Sequence, residues 1–193
     1  MPTVRPYQEK DKELVQNLCL RNADCMDSSE ETKKFILTMY CNYYIEQEPC
    51  NCFVAVNDND EAVGYIICSE SYDNYERIFN DNYLNQCAAL GPKRYVDAKL
   101  DLLSHSMFKK EYPTHFHIDI DDNYQRMGIG SLLISTLKAH LRKKNINGMM
   151  MVCGEDNDNA IKFYKKNGFR DLITTKMGHA MALDFEDKDE DNN

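Results

Sequence analysis

Residues 125–131 read Gln125-Arg126-Met127-Gly128-Ile129-Gly130-Ser131, between an alternating segment and a segment with helical periodicity. Glycines let a chain turn tightly and bring backbone amides close to a ligand. A helix that begins at such a turn adds unpaired amides and the positive end of its dipole, which together suit a pyrophosphate. A dinucleotide fingerprint would need a third glycine, and a Walker loop would end in Gly-Lys-Ser or Gly-Lys-Thr. The stretch therefore predicts another kind of phosphate-binding turn or, taken alone, an ordinary strand-to-helix turn.

The segment before the glycines alternates and predicts a strand over residues 114–120. Successive side chains of a strand point to opposite faces. One face of this strand carries Phe116, Ile118 and Ile120, and the other carries His115, His117 and Asp119. Leucines at a spacing of four after the glycines predict a helix over residues 130–144.

The rest of the chain predicts a mixed α/β fold without internal repeats. An apolar run at residues 149–153 predicts a strand, and two more strands are expected near the C-terminal end. In the first half, β-rich runs at residues 52–56 and 62–68 flank a polar turn and predict a hairpin. Ser28 or Ser29 is a candidate cap for a helix before that hairpin.

A second motif follows the strand at residues 149–153 and reads Asn157-x-x-Ala160-x-x-Phe163-Tyr164-Lys165-Lys166-x-Gly168-Phe169. Together with Tyr124 and the glycine stretch, it resembles the two hallmark segments of the GNAT superfamily of N-acetyltransferases. The resemblance is specific over residues 112–172. It implies one α/β domain over residues 1–183, with a mixed, mostly antiparallel central sheet flanked by helices. It also implies that two parallel strands, residues 114–120 and 149–153, splay apart to bind acetyl-CoA.

The resemblance also implies which residues bind acetyl-CoA, the cosubstrate. The amides of residues 125–131 would bind the pyrophosphate, and the backbone of residues 118–120 would pair with the pantetheine arm. Asn157 would contact the same arm, and Tyr164 would stand near the sulfur. Many relatives have glycine at the position of Arg126, which here could add a phosphate contact. The predicted cofactor contacts are Ile118, Asp119, Ile120, Gln125, Arg126, Met127, Gly128, Ile129, Gly130, Ser131, Asn157, Ala160 and Tyr164.

Three side chains are candidates for catalysis of acetyl transfer to an amine. Tyr164 has the phenol needed to protonate a leaving thiolate, although it could instead be a packing residue. His117 or Asp119 could take the proton from the amine, since both project from the strand beside the expected thioester. The two, with His115, could equally form an interior hydrogen-bond cluster or a polar sheet face. Histidines 115 and 117 also have a spacing that metal sites use, but no third ligand is identifiable, so we expect no metal.

A longer match, Tyr112-Pro113-x-His115-x-His117-Ile118-Asp119-Ile120, is similar to one GNAT branch. That branch is the acetyltransferase-like domain at the C-terminus of animal O-GlcNAc hydrolases, together with its stand-alone bacterial relatives. The resemblance leaves two hypotheses open ahead of a wholly structural role. The first is direct transfer of acetyl from acetyl-CoA to a primary amine of a small molecule or peptide. The second is a catalytically inactive CoA-binding module that acts as a scaffold or acyl-CoA sensor.

Charge and cysteine content limit the partners and the compartment. The formal net charge of the 193 residues is −9, and residues 184–193 contain six acids and one lysine, which predicts a disordered acidic tail. No basic face dominates the rest, which argues against nucleic acid. We expect no membrane span, and the eight cysteines without a signal-like N-terminus predict a reduced, cytoplasmic protein without structural zinc.

The segment from residue 70 to residue 112 is predicted to be a helical insertion on the acceptor side. Residues 93–109 have helical periodicity, with an apolar face of Val96, Leu100, Leu103 and Met107. The acids of this segment could receive a cationic amine, or they could be a solvated helix face; they are Asp73, Glu76, Asp97 and Asp101. A polyamine, an antibiotic, an amino sugar and a protein lysine all remain possible acceptors, and the chain is expected to be a monomer or a homodimer.

Overall fold

A seven-stranded sheet forms the centre of the computed structural model, which describes residues 2–176 and 178–185. The strands lie in the order β1-β2-β3-β4-β5-β7-β6. All neighbouring pairs are antiparallel except β4 and β5, which are parallel. This confirms the predicted fold class. The strands are β1 (Thr3–Pro6), β2 (Phe53–Val56), β3 (Ala62–Ser69), β4 (His115–Ile120), β5 (Gly148–Cys153), β6 (Arg170–Thr175) and β7 (Gly178–Asp184).

Helices cover both faces of the sheet and form two large cores; a third, smaller cluster of described residues contains Tyr112, Met150, Ala180 and Ala182. The inward side chains of α1 to α6 pack on one face against residues such as Tyr65 and Ile67 of β3. Helices α7 and α8 pack on the other face, against Ile66 and Cys68. The helices are α1 (Lys12–Asn22), α2 (Glu30–Leu37), α3 (Tyr43–Gln47), α4 (Tyr72–Ile78), α5 (Leu84–Ala89), α6 (Pro92–Ser106), α7 (Ile129–Arg142) and α8 (Asp158–Lys166).

The first half follows the local sequence signals. Strands β2 and β3 form the predicted hairpin, and the Ser29 hydroxyl caps α2 by accepting the amide of Thr32. Between β3 and β4 the chain forms α4, α5 and α6, and α6 coincides with most of the segment of residues 93–109 that has helical periodicity.

Helix α6 forms as predicted, but its apolar stripe does not face the core. The side chains of Val96, Leu100, Leu103 and Met107 are all exposed. The helix instead buries Ala98, Leu102 and His105. The buried side therefore carries a histidine where the sequence pattern places a row of larger apolar residues.

Residues 184 and 185, with which the predicted acidic tail begins, lie at the end of the sheet. Asp184 is the last residue of β7, and its carboxylate accepts a hydrogen bond from Arg170 Nε at 3.0 Å. The ring of Phe185 is buried in the α7 core, and its amide donates to Asn147 O at 2.7 Å. The remaining tail, residues 186–193, lies outside the described residues.

Truncation of Leu137 is expected to destabilise the fold. This side chain is 0% exposed, in the core between α7 and the sheet, so Leu137→Ala leaves a cavity. We expect the free energy of unfolding in urea to fall by about 2–5 kcal/mol. The matched control is Leu132→Ala on the same helix, where the side chain is 44% exposed and the change should stay within about 0.5 kcal/mol. Equal losses in the two variants would contradict this core assignment.

Candidate active site

The parallel strands β4 and β5 meet at one position and then diverge. His115 is opposite Met150, and the Met150 amide donates to Thr114 O at 2.9 Å. Amide and carbonyl groups of a strand alternate between its two neighbours, so residues an even number after Thr114 also face β5. The backbone of Ile118 and the amide of Ile120 therefore point into the gap. The splay of this parallel pair leaves polar backbone groups open to a ligand.

A cleft of about 690 Å³, here named the glycine-loop cleft, lies beside this gap. Helix α7 begins directly after Gly128, which has a φ of +83°. The amides of Ile129, Gly130 and Ser131 lie in the first turn of α7, where they have no acceptor within the helix. The cleft is lined by Asn22, Ile118, Asp119, Ile120, Gln125, Arg126, Gly128, Ile129, Gly130, Ser131, Asn157, Asn159, Ala160, Lys162, Phe163, Tyr164 and Lys166.

Three cations line this cleft. Arg126 comes from the loop, in a left-handed conformation with a φ of +61°, and Lys162 and Lys166 come from α8. Cations beside unpaired helix amides form a site suited to phosphate groups. Met127, predicted as a contact, does not line the cleft, and its side chain is 57% exposed.

The second glycine of the loop has a packing role. A Cβ on Gly130 would lie 2.7 Å from Cζ of Phe163, closer than real contacts allow. Gly130 thus lets α7 approach α8, whereas Gly128, with a positive φ, provides the turn. The sequence assigned the glycines to a tight turn and to the approach of backbone amides to a ligand; the close packing of α7 on α8 at Gly130 was not foreseen.

A second cavity of about 380 Å³, here named the carboxylate pocket, lies next to the cleft. It is formed by α1, α2 and the turn after it, α6, β3, β4, β5 and α8. Asp119 and Tyr164 line both cavities, so they stand where the two join. The pocket is lined by Cys19, Asn22, Ala23, Ile36, Tyr40, Tyr65, Asp101, His105, Phe116, His117, Ile118, Asp119, Met151, Val152, Cys153, Gly154, Asn157, Ala160 and Tyr164.

The pKa of the Asp119 carboxyl group is shifted towards neutral pH. Its burial raises the pKa from 3.8 to about 7, and the hydrogen bond from the Tyr65 hydroxyl opposes part of that rise. Tyr65 lies directly opposite Asp119 in the β3–β4 register, so the sheet fixes this contact. A carboxylate with a pKa near 7 is ionised in part at neutral pH and holds a proton well once it takes one.

The two strand histidines share one hydroxyl. Tyr44 Oη lies 3.0 Å from Nε2 of His115 and 3.0 Å from Nε2 of His117. Burial, with a contribution from His105, lowers the pKa of His117 to about 3. Both histidines are therefore neutral near pH 7, in an interior hydrogen-bonded cluster. His117 also lines the carboxylate pocket, whereas His115 does not.

Tyr164 is held among aromatic rings between the two cavities. Its ring makes edge contacts with Phe116, Phe163 and Phe169. Burial and the charge of Asp119 raise the pKa of its phenol well above 10. The hydroxyl therefore keeps its proton and is available as a hydrogen-bond donor.

The predicted contact Asn157 has a structural role as well. Its side-chain oxygen caps α8 by accepting the amide of Ala160 at 3.0 Å, and both residues line the two cavities. Gln125 donates to Asp122 at 2.7 Å, which stabilises the loop before Gly128.

Several residues that line the cavities were missed by sequence reasoning. Asn22 from α1 lines both cavities, and Lys162 and Lys166 appear once the face of α8 is known. Of the four acids considered for the acceptor, only Asp101 lines the pocket. Residues of the two cavities that the sequence did not indicate include Asn22, Tyr40, Tyr65, His105, Lys162 and Lys166.

The glycine loop, the splayed strands and the two joined cavities agree with a family model for the acetyltransferase (GNAT) family, which matches residues 16–169. The chain belongs to the acetyltransferase (GNAT) family. Members of this family use acetyl-CoA as cosubstrate. The match runs from within α1 to just after α8, so it contains the described lining residues of both cavities.

Solved structures share the fold at low identity. The crystal structure of SsHAT superposes with a TM-score of 0.85 at 22% identity, over 96% of this chain and 99% of that one. An apo form of agmatine N-acetyltransferase superposes with a TM-score of 0.67 at 14% identity, over 95% of this chain and 99% of that one. A chain of the NatC complex bound to a Gag peptide and CoA superposes with a TM-score of 0.59 at 14% identity, over 96% of this chain and 99% of that one.

The described residues of this GNAT protein contain neither a cluster of metal ligands nor a membrane-spanning helix. Over residues 2–176 and 178–185, no group of three or more His, Cys, Asp or Glu side chains is arranged to hold a metal ion. In the same part of the chain, no helix is long and apolar enough to cross a membrane.

The raised pKa of Asp119 makes stability depend on pH. A carboxyl whose folded-state pKa lies above its unfolded value loses stability as the pH rises from about 4 to about 7. Asp119→Asn cannot ionise, so the variant should gain stability over wild type by about 2–3 kcal/mol more at pH 8 than at pH 5. Urea unfolding at both pH values measures this.

The exposed Glu111→Gln is the control for that experiment and should show the same difference from wild type at both pH values. A pH-independent effect of Asp119→Asn would mean that Asp119 titrates normally.

Proposed function

We propose that this GNAT protein transfers acetyl directly from acetyl-CoA to a primary amine of a small molecule or peptide. The observation that carries the proposal is the placement of Asp119 and Tyr164 at the junction of the glycine-loop cleft and the carboxylate pocket. A base and a proton donor thus stand where a thioester in one cavity would meet an amine in the other.

The glycine-loop cleft fits acetyl-CoA. The first-turn amides of α7 would bind the pyrophosphate, and Arg126, Lys162 and Lys166 would neutralise phosphate charge. The gap-facing backbone of Ile118 and Ile120 would pair with the amides of the pantetheine arm. Hydrogen bonding to an open strand edge is a common way to bind an extended amide chain.

Asp119 is the better candidate for the base. An amine attacks only after the ammonium loses a proton, and a base with a pKa near the working pH is the most effective. Asp119 has a pKa of about 7, whereas His117 has a pKa of about 3 and is bonded to Tyr44. We assign His117 to the shape and polarity of the pocket wall.

Tyr164 completes the transfer. The amine nitrogen bonds to the thioester carbonyl carbon, the carbon–sulfur bond breaks, and the thiolate leaves. The Tyr164 hydroxyl donates a proton to that thiolate and regains one from the nitrogen of the new amide. The net reaction converts acetyl-CoA and an ammonium into an N-acetyl amine, CoA and one proton. No cysteine nucleophile is needed.

The similar structures include enzymes with small and with peptide acceptors: agmatine N-acetyltransferase and the NatC complex with its Gag peptide. These similarities support an amine acceptor here, and they are consistent with either a small molecule or a peptide. The similarity to the domain of O-GlcNAc hydrolases, the cytoplasmic location, and the monomeric or dimeric state stay predictions.

Removal of the Tyr164 hydroxyl is expected to slow the reaction. Tyr164→Phe keeps the aromatic packing and should lower kcat by about 10²-fold or more, the usual contribution of a general acid, with little change in KM for acetyl-CoA. Release of the CoA thiol with a panel of primary amines measures this. Tyr95→Phe, at an exposed tyrosine of α6, should match wild type.

Two results would count against these assignments. A kcat in Tyr164→Phe equal to that of wild type would show that Tyr164 is not the general acid. A folded wild type that acetylates no amine in the panel contradicts the proposed function itself.

A further inference from the structure

The two cavities carry opposite charge. Arg126, Lys162 and Lys166 line the glycine-loop cleft. The carboxylate pocket is lined by Asp101 and Asp119, and no lysine or arginine is among its described lining residues. A cavity with acidic side chains and no basic ones favours a cationic ligand and disfavours an anionic one.

Asp101 is a carboxylate with an incomplete set of partners. It projects from α6 into the pocket, and its Oδ1 accepts one hydrogen bond from Tyr40 Oη at 3.0 Å. No ion pair involves it within residues 2–176 and 178–185, and burial raises its pKa. An ionised carboxylate can accept several hydrogen bonds, and a buried one is stable only with a partner. A cation bound in the pocket would supply that partner.

His105 is a second observation that favours a ligand with a hydrogen-bond donor in this pocket, and it does not depend on the charge of the acids. It is 6% exposed and lines the pocket, and its Nε2 is buried without a hydrogen-bond partner in the described part of the chain. Its Nδ1 lies 3.4 Å from the Asp101 carbonyl oxygen and 3.3 Å from Ser104 Oγ. In a neutral imidazole whose Nδ1–H donates to that carbonyl, Nε2 is the acceptor nitrogen and lacks a donor.

The two carboxylates line the pocket in different places. Asp119 stands where the pocket joins the cleft, and its carboxyl group accepts a hydrogen bond from Tyr65. Asp101 lines the pocket alone and is bonded to Tyr40, whose ring packs against the His117 ring with centroids 5.5 Å apart. Two separate carboxylates in one acidic cavity can bind an alkyl chain that has a nitrogen at each end.

We propose that the carboxylate pocket selects a short alkyl diamine, with the reacting amine at Asp119 and the second ammonium bound by Asp101, Tyr40 and His105. This inference rests on the proposed N-acetyltransferase function and adds the acceptor class to it. The second ammonium donates to the Asp101 carboxylate and to Nε2 of His105. The end that carries this charge selects the substrate, while acetyl transfer takes place at the other nitrogen.

The test compares three acceptors of equal length at saturating acetyl-CoA: 1,4-diaminobutane, 1-aminobutane and 4-aminobutanoate. They differ only in the group at the far end, which is cationic, apolar or anionic. We expect wild type to give the diamine a kcat/KM roughly tenfold or more above that of 1-aminobutane. The anionic 4-aminobutanoate should be the poorest of the three.

Asp101→Asn keeps the shape of the side chain and should collapse the ratio of diamine to monoamine kcat/KM towards one, mainly through KM for the diamine. Asp97→Asn, at a more exposed acid one turn earlier on α6, should leave the ratio as in wild type. This control separates the bound ammonium from a general effect of surface charge.

The outcomes separate the two proposals. Equal efficiency with 1-aminobutane and the diamine in wild type, a preference for 4-aminobutanoate, or an unchanged ratio in Asp101→Asn would overturn the diamine assignment. The N-acetyltransferase function survives all three. If wild type acetylates none of these amines or any other primary amine, the proposed function fails, and the diamine assignment fails with it.

Discussion

The divergence of β4 from β5 is the feature on which the rest of the site depends. The two strands pair through one register position, and their backbones then separate. Unpaired backbone groups in a sheet are costly unless a ligand or water satisfies them. The sheet tolerates the gap because both strands are paired on their other sides, β4 with β3 over six residues and β5 with β7 over six. The cleft and the pocket both lie at this gap and share Ile118, Asp119 and Tyr164 among their lining residues.

The two cavities differ in charge, and this difference suits them to different ligands. Basic groups surround the start of α7, where a helix dipole already favours anions, and acidic groups lie beyond the strand. Asp119 and Tyr164 stand at the boundary. Burial makes the first a base near neutrality and keeps the second protonated, so one physical cause prepares both groups. The aromatic rings around Tyr164 maintain that burial.

Sequence reasoning found the parts of the site that local patterns encode. Alternation over residues 114–120 placed His117 and Asp119 on one face because strand periodicity is local, and the glycine stretch marked the start of α7. It could not choose between the two bases, since their pKa values depend on burial by other elements. It also could not single out Asp101, because the exposed apolar stripe of α6 conceals which side of the helix faces the pocket.

Amide hydrogen exchange at Ile118, measured with and without CoA, tests most directly whether the splayed strands form the cofactor site. The Ile118 amide faces the gap, whereas the neighbouring His117 amide faces β3 and serves as an internal control. The account predicts rapid exchange at Ile118 in the free protein and strong protection once CoA is bound, with His117 slow in both states. Saturating CoA that leaves Ile118 unprotected would contradict it.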